Sequence, residues 1–391
     1  MRVLSDIAKL LCYEQIQVPV LERASSYSED VVGKSPWPEW NNKGCFFFEI
    51  DDYFESYNEK PKKESVLLIP EGTISVTRWL GEQMNRGVKF PLKMFYALNC
   101  YRNELISTLS ATKGREFSQF GMEILGSENP HSDIEILCVI AHSLMKLGIK
   151  PEEIRFRIND ITIFNKLISE CALEDECVEL KELLDTLAEV KAGKGVERKT
   201  DTENAINAIL DKNKKTGKNR EKWTSIIEQQ NYELDSISEV LEQEYCQKIE
   251  ALKEICDAFA KNGIRVVADL CVIRSHEYYT SLSYEIDVLT AENKYIEIAG
   301  GGRYDRLVSN FVPKDCKMKK VPCTGFAFGI ERVISMFEQE KRLPEKISIN
   351  SLFWFGEDQA RCIVPENEST VAYIKEFTEA IKQNDSFYIK L

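Results

Sequence analysis

The twelve cysteines, scattered from Cys12 to Cys362, include no Cys-x-x-Cys pair. Zinc ribbons and disulfide frameworks both need clustered or paired spacings, so this pattern reads as free thiols in a reducing cytosol. Histidine is scarce: His131, His142 and His276 are the only three. A His-rich metal site is therefore not expected, nor any other protein metal centre. No apolar run approaches the roughly 20 residues that cross a bilayer. The N-terminal stretch Met1–Leu11 is interrupted by Asp6 and Lys9, with no small-residue cleavage site after it, so a helix is expected there and the expected location is cytoplasmic. No P-loop or dinucleotide fingerprint occurs, and the run Gly300–Gly302 lacks the required spacing. Positive charge is also in deficit. A net charge of −13 excludes a surface that coats nucleic acid generally, so any RNA contact is local.

What is present is an ordinary globular composition, 43% hydrophobic and 29% charged over 391 residues. That length suggests two or three domains. The chain is organised around Tyr101–Leu125, where two apolar-rich strand segments, Lys93–Tyr101 and Glu116–Leu125, flank a polar loop. Side chains alternate along a strand, so Gln119, Gly121 and Glu123 share one side. Gly121 leaves a gap there between an amide and a carboxylate, a seat for a small ligand carrying an ammonium group. Arg102 and Glu104 share a face at the end of the incoming strand, with Lys113 and Arg115 across the loop. Guanidinium groups bind phosphate oxygens bidentately, so this end suits a nucleotide phosphate. A plain hairpin with solvated charges is the competing reading.

An amphipathic helix opens the chain, with Leu4, Ile7, Leu10 and Leu11 on one face. Ile16–Leu21 is extended, and Pro19 assigns it to a sheet edge or subunit boundary. Residues 22–44 read as loop. Cys45–Ile50 and Ser65–Ile69 read as strands, the second running into Pro70-Glu71-Gly72-Thr73 and a helix over Ile74–Met84 with Thr73 available as its cap. Glu71 is either a ligand carboxylate at a strand end or a helix-start acid favoured by the dipole. His131–Leu147 is an amphipathic helix and Ile154–Ile163 a strand. From Phe164 to about Asn262 the pattern is almost wholly helical, an inserted helical domain. Its segment Lys191–Lys222 carries twice as many basic as acidic residues, read as a solvated helix pair or as a local RNA contact. Strands resume at Arg265–Ile273, Leu282–Val288 and Tyr295–Ala299, the last followed by Gly300–Asp305 as a glycine-rich passage between strand and helix. Gly325–Gly329 is a strand feeding a helix, with Arg332 in the first turn where helix N-terminus and guanidinium both favour phosphate. The interleaving suits a largely antiparallel sheet with packed helices.

Together these segments resemble a class II aminoacyl-tRNA synthetase, most closely the histidyl branch, over about residues 1–340. Pro19 after its helix resembles the first motif of that class, which builds a dimer interface. Tyr101–Glu104 with Gly114–Glu123 resembles the second motif, and Gly325–Arg332 the third. Pro70–Thr73, Arg274 with Tyr278 and Tyr279, and Gly301–Asp305 are similar to segments peculiar to the histidyl branch. The resemblance implies an α+β fold, an antiparallel sheet flanked by helices. It implies a catalytic core in two parts, 1–163 and 263–342, an inserted helical domain at 164–262 and a C-terminal remnant at 343–391. It implies ATP with Mg2+, histidine as the amino acid, a homodimer, and activation to the aminoacyl-adenylate with transfer to tRNA as a further step. Arg102 then meets the α-phosphate, Glu104 the adenine amino group, and Arg115 and Arg332 the outer phosphates. Glu71, Thr73 and Glu123 meet the ammonium, while Gln119 and Arg274 meet the carboxylate and the developing pentavalent phosphorus. Tyr279 meets the imidazole, with Tyr278 and Tyr304 beside it.

Departures from the family pattern are also visible. The loop Leu105–Lys113 is longer than usual and lacks the Arg-Pro turn. Ser275-His276-Glu277 replaces Gly-Leu-Asp after the arginine. The family ends in an α/β anticodon-binding domain, whereas Leu352–Phe355, Ser369–Gln383 and Phe387–Leu391 read as a single strand–helix–strand. A second reading therefore stays open, a non-aminoacylating regulatory subunit of ATP phosphoribosyltransferase in histidine biosynthesis. In that paralogue the Glu-Gly-Thr segment is typically altered, yet Glu71-Gly72-Thr73 stands here. A histidine sensor needs Glu71, Glu123 and Tyr279 but not the ATP arginines. Activation for another carrier is a third reading.

Overall fold

The structure is a computed structural model. It describes residues 1–32, 44–52, 62–104, 113–128, 131–191, 196–212, 220–229, 234–269, 272, 278–318, 320–339, 353–356 and 359–362. Helix α1 (Arg2–Leu10) buries Leu4, Ile7 and Ala8, the i, i+3, i+4 spacing of a one-sided helix. Strands β1 (Glu14–Gln15) and β2 (Leu21–Arg23) follow. Pro19 lies in the link between them rather than in a strand over 16–21, so its missing amide breaks no ladder. The region 22–44 is not all loop: α2 (Glu29–Val32) forms a short turn whose first positions are the acids Glu29 and Asp30 and whose Val32 is buried. Strands β3 (Phe47–Asp52) and β4 (Lys62–Leu68) pair with β2 as a small antiparallel sheet in the order β2-β4-β3.

Helix α3 (Thr73–Gln83) leads to the long strands β5 (Leu92–Tyr101) and β6 (Glu116–Leu125), then α4 (His131–Lys146) and β7 (Ile154–Asp160). Ile136, Leu137, Ile140 and Leu144 give α4 a continuous apolar stripe, packed on β6 and on a later sheet strand. The strand expected to reach Ile163 stops at Asp160, because the Asp160 carboxylate accepts the Thr162 amide at 2.9 Å and caps a helix. That helix, α5 (Ile161–Cys171), opens the helical passage, followed by α6 (Cys177–Lys191), α7 (Lys199–Lys212), α8 (Arg220–Gln229), α9 (Leu234–Ser238) and α10 (Gln243–Ala260). Strands β8 (Arg265–Ala268), β9 (Leu282–Leu289), β10 (Tyr295–Arg303) and β11 (Cys323–Gly329) complete the main sheet, and α11 (Ile330–Gln339) follows directly.

The fold is α+β. Eight strands run in the order β1-β5-β6-β11-β10-β9-β7-β8, antiparallel throughout except for the outermost pairs β1–β5 and β7–β8. Directly opposed residues share a face. One row therefore reads Tyr96, Gly121, Ala327, Gly300, Glu285 and Arg157, and the next Met94, Glu123, Gly325, Gly302, Ser283 and Asn159. Small residues at the middle of both rows lower the sheet beside Glu123.

The glycine run 300–302 lies inside β10, not in a passage between strand and helix. A Cβ on Gly301 would stand 2.1 Å from the Gly325 carbonyl oxygen, so the neighbouring backbone fills the place of a side chain. The chain divides into two units, Met1–Met336 and Phe337–Leu391. Within the second, β12 (Phe353–Gly356) and β13 (Gln359–Cys362) form an antiparallel hairpin. The expected helix Ser369–Gln383 and strand Phe387–Leu391 lie outside the described residues.

Candidate active site

Strands β5 and β6 pair over their full length, Leu92 opposite Leu125 and Tyr101 opposite Glu116. Gln119, Gly121 and Glu123 share a face, as strand alternation requires. The gap at Gly121, however, is filled. The Tyr96 ring lies against it, so closely that a Cβ on Gly121 would be 2.2 Å from the ring Cζ. The polar cluster here is therefore centred on Glu123 and its partners rather than on a gap at Gly121.

Glu123 is 1% exposed, yet both carboxylate oxygens are satisfied. Oε1 accepts from the Thr73 hydroxyl at 3.1 Å and the Tyr96 hydroxyl at 3.3 Å, and Oε2 accepts from the Tyr304 hydroxyl. Burial pushes its carboxyl up to about 8; the three hydroxyls pull the other way and Glu71 pushes further up. Glu71 is itself 4% exposed. Its carboxylate accepts the Thr73 amide at 2.8 Å and the Ile74 amide at 2.7 Å. The cap of α3 is therefore the Glu71 side chain, while the Thr73 hydroxyl expected in that role is turned to Glu123. Burial raises the Glu71 carboxyl as well, against the lowering pull of those amides and of Arg102. Gln119 closes this corner, its side-chain oxygen accepting the Gly72 amide at 3.2 Å.

An aromatic wall stands beside the carboxylates. Tyr278 lies with its ring centroid 4.9 Å from that of Tyr279 and 6.0 Å from that of Tyr304, the latter edge-on. Tyr278 and Tyr304 are buried and Tyr279 is half-buried. The structure thus brings Glu71, Thr73, Gln119, Glu123, Tyr278, Tyr279 and Tyr304 into one neighbourhood.

The cationic side chains lie toward the far end of the hairpin. The Arg102 Nε donates to the Pro70 carbonyl at 3.2 Å, directly before Glu71, and its guanidinium lies 5.0 Å from the Phe117 ring centroid. The Arg102 amide bonds the Arg115 carbonyl at 2.9 Å, which ties the two arginine positions together. Arg115 Nε donates to the Glu104 carbonyl at 3.2 Å, and the Glu104 carboxylate pairs with Lys113 at 3.1 Å. Arg332 stands in the first turn of α11, its guanidinium 3.4 Å from Glu297. Arg274, His276 and residues 105–112 of the hairpin loop lie outside the described residues.

Comparison with known proteins decides the family. The histidyl-tRNA synthetase family pattern matches residues 49–333. The chain belongs to the histidyl-tRNA synthetase family. Curated members of that family include a histidine–tRNA ligase of Sulfurisphaera tokodaii, 27% identical over 352 residues, which cover 87% of this chain and 71% of that relative. One from Thermococcus kodakarensis is 29% identical over 306 residues, 76% of this chain and 64% of the relative. Among solved structures, an ATP phosphoribosyltransferase regulatory subunit/histidyl-tRNA synthetase from Bacillus halodurans aligns with a TM-score of 0.61 at 17% identity, over 86% of this chain and 77% of that one. A histidine–tRNA ligase subunit from Alicyclobacillus acidocaldarius aligns with a TM-score of 0.59 at 19% identity, over 87% and 91%. At these identities the structures speak for the fold alone.

Against the histidyl-tRNA synthetase pattern, three further residues of this chain stand out that its sequence did not single out. Tyr96 packs on two glycines and reaches Glu123. Glu331 accepts the Ser118 amide with both oxygens at 2.9 Å, fastening α11 to β6 and so placing Arg332. Tyr284 donates to the Gly325 carbonyl at 2.8 Å beneath Glu123. Each is a long-range contact.

Proposed function

We propose that this chain activates histidine with ATP, forming histidyl-adenylate and pyrophosphate, with transfer to tRNA as a second step. The observation that carries the reading is the junction at Pro70–Glu71. The Arg102 guanidinium bonds the Pro70 carbonyl there, one residue before the buried Glu71, whose carboxylate holds the Thr73 amide while the Thr73 hydroxyl reaches the buried Glu123. A ligand with an ammonium at one end and a carboxylate at the other spans these features: Glu71, Thr73 and Glu123 take the ammonium, and its carboxylate faces Gln119, next to the position that Arg102 gives the α-phosphate. The tyrosines then surround the side chain.

In this reading a carboxylate oxygen of the amino acid attacks the α-phosphorus of ATP. The bond from that phosphorus to the bridging oxygen breaks, and pyrophosphate leaves with the electron pair. No proton need move, so charge neutralisation and alignment carry the step. Arg102 neutralises the α-phosphate, and Arg115 and Arg332, both exposed at the mouth, hold the outer phosphates. Phe117, on the same face as Gln119 and beneath Arg102, offers a stacking surface for the base, whose amino group Glu104 accepts. Among the described residues no group of three or more His, Cys, Asp or Glu side chains is arranged to hold a metal. Mg2+ bound with the phosphates of ATP would supply further neutralisation of the leaving group.

The assay is amino-acid-dependent exchange of pyrophosphate into ATP with a panel of amino acids. Exchange with histidine alone is the expected result. Histidine binding with no exchange from any amino acid would overturn this reading in favour of a regulatory subunit, for which the guanidinium set has no use.

A further inference from the structure

Tyr96 stands on β5 opposite Gly121 and is 1% exposed. Its ring is wedged from two sides. A Cβ on Gly121 would lie 2.2 Å from the ring Cζ, and a Cβ on Gly72 would lie 2.5 Å from Cε2. Two missing side chains, one on β6 and one at the start of α3, make a slot for a single ring. At the end of the slot the hydroxyl donates to Glu123 Oε1 at 3.3 Å, beside the Thr73 hydroxyl on the same oxygen at 3.1 Å.

We propose that Tyr96 is a positioning residue for the ammonium site: aimed by the Gly72–Gly121 slot, its hydroxyl favours the charged form of the Glu123 carboxylate and orients it toward the ligand's amino group. The ligand named here rests on the function proposed above, but the hold on Glu123 belongs to the ligand-free protein.

The chemistry is that of a buried acid. A carboxylate removed from water neutralises itself unless hydrogen bonds favour its charged form. The titratable groups facing Glu123 are Glu71 before α3, Tyr96 from β5, Tyr304 and Tyr278 beside β10, Tyr284 from β9, Cys323 from β11 and Tyr13 between α1 and β1. Glu71 is a like charge and opposes ionisation. Burial and the two carboxylates push the Tyr96 phenol well above its ordinary range, so it stays protonated and donates. Thr73 and Tyr304 share the task, and Tyr96 is the member whose direction the backbone of two elements dictates.

The test is a 13C NMR titration of glutamate carboxyls in the ligand-free chain, with Glu123 assigned through Glu123→Gln. Tyr96→Phe keeps the ring in its slot and removes one charge-assisted hydrogen bond. The Glu123 midpoint is expected to rise by about one pH unit, with the melting temperature nearly unchanged. The KM for the amino acid is expected to rise roughly tenfold at neutral pH while kcat holds. A midpoint that does not move overturns the proposal. A midpoint that moves in a protein that binds no amino acid keeps the hold of Tyr96 on Glu123 and sinks the reading of the ligand instead.

Discussion

Arg303 Nε lies 2.9 Å from Asp133 Oδ2, joining the end of β10 to the first turn of α4. The same guanidinium donates to the Ser132 hydroxyl at 2.8 Å, the Ser127 carbonyl at 3.0 Å and Asp305 at 3.2 Å. Arg303 thus locks the strand that delivers Tyr304. Both ion-pair partners are nearly buried, and burial lifts the Asp133 carboxyl above its usual range while Arg303 pulls it back down. Arg303→Met leaves that carboxylate stranded and is expected to cost about 3–5 kcal/mol in urea unfolding. The double variant Arg303→Met, Asp133→Leu should recover part of the loss, because the more buried of the two carboxylates paired with Arg303 is then gone and only the more exposed Asp305 keeps its charge.

Glu123 sets a pH dependence whose sign is fixed by its direction. Its folded value, about 8, lies above the 4.5 of an unburied glutamate. The unfolded chain therefore gives up this proton first, and the ligand-free protein loses stability as pH rises from roughly 4.5 to 8. Glu123→Gln should flatten that fall in a series of melting temperatures. Amino-acid affinity should run the opposite way. The ammonium needs the ionised carboxylate, so titration calorimetry should show affinity rising about tenfold per pH unit up to about pH 8.

Gly121→Ala drives a methyl group into the Tyr96 ring, 2.2 Å from Cζ. Overpacking of this kind costs about 1–3 kcal/mol. Gly329→Ala is the control. The nearest atom to its added Cβ is Arg332 Cδ at 3.6 Å, an ordinary contact, so its denaturant midpoint should match the parent.

Arg102→Ala separates the two halves of the site. It removes the guanidinium at the Pro70 carbonyl, and with it a downward pull on the Glu71 carboxyl, but leaves the hydrogen bonds of Glu71, Thr73 and Glu123 in place. Pyrophosphate exchange should vanish while calorimetry still shows amino-acid binding. Loss of both together would refute this division of the pocket.

Much of the frame was legible in the sequence because it depends on local pattern. Alternation gave the faces of β5 and β6, apolar spacing gave α1 and α4, and the strand-end signal Pro70–Thr73 gave α3. The misreadings have two physical causes, side-chain space filled by a neighbouring strand and acids that cap a helix start. Gly300–Gly302 looks like a loop, since nothing in the chain says that the Gly325 backbone fills its side-chain space. Gly121 looks like a vacancy, since Tyr96 arrives from the neighbouring strand. Thr73 and Glu71 exchange roles because a carboxylate two residues before Thr73's amide reaches further than a hydroxyl can, which frees that hydroxyl for Glu123. Asp160 ended β7 earlier than its β-branched run suggested, since a capping acid outweighs strand propensity at that position.

In the proposed site Glu71 is both wall and hinge-pin: the acid proposed to face the ammonium is the acid that starts α3. A chain drifting away from amino-acid recognition could replace Glu123 and leave its secondary structure untouched. Replacing Glu71 would unfasten the first turn of a helix whose Ile74 and Leu80 sit in the core. The two carboxylates are thus unequal under mutation. One is free to change with the ligand, and the other is held in place by the fold itself.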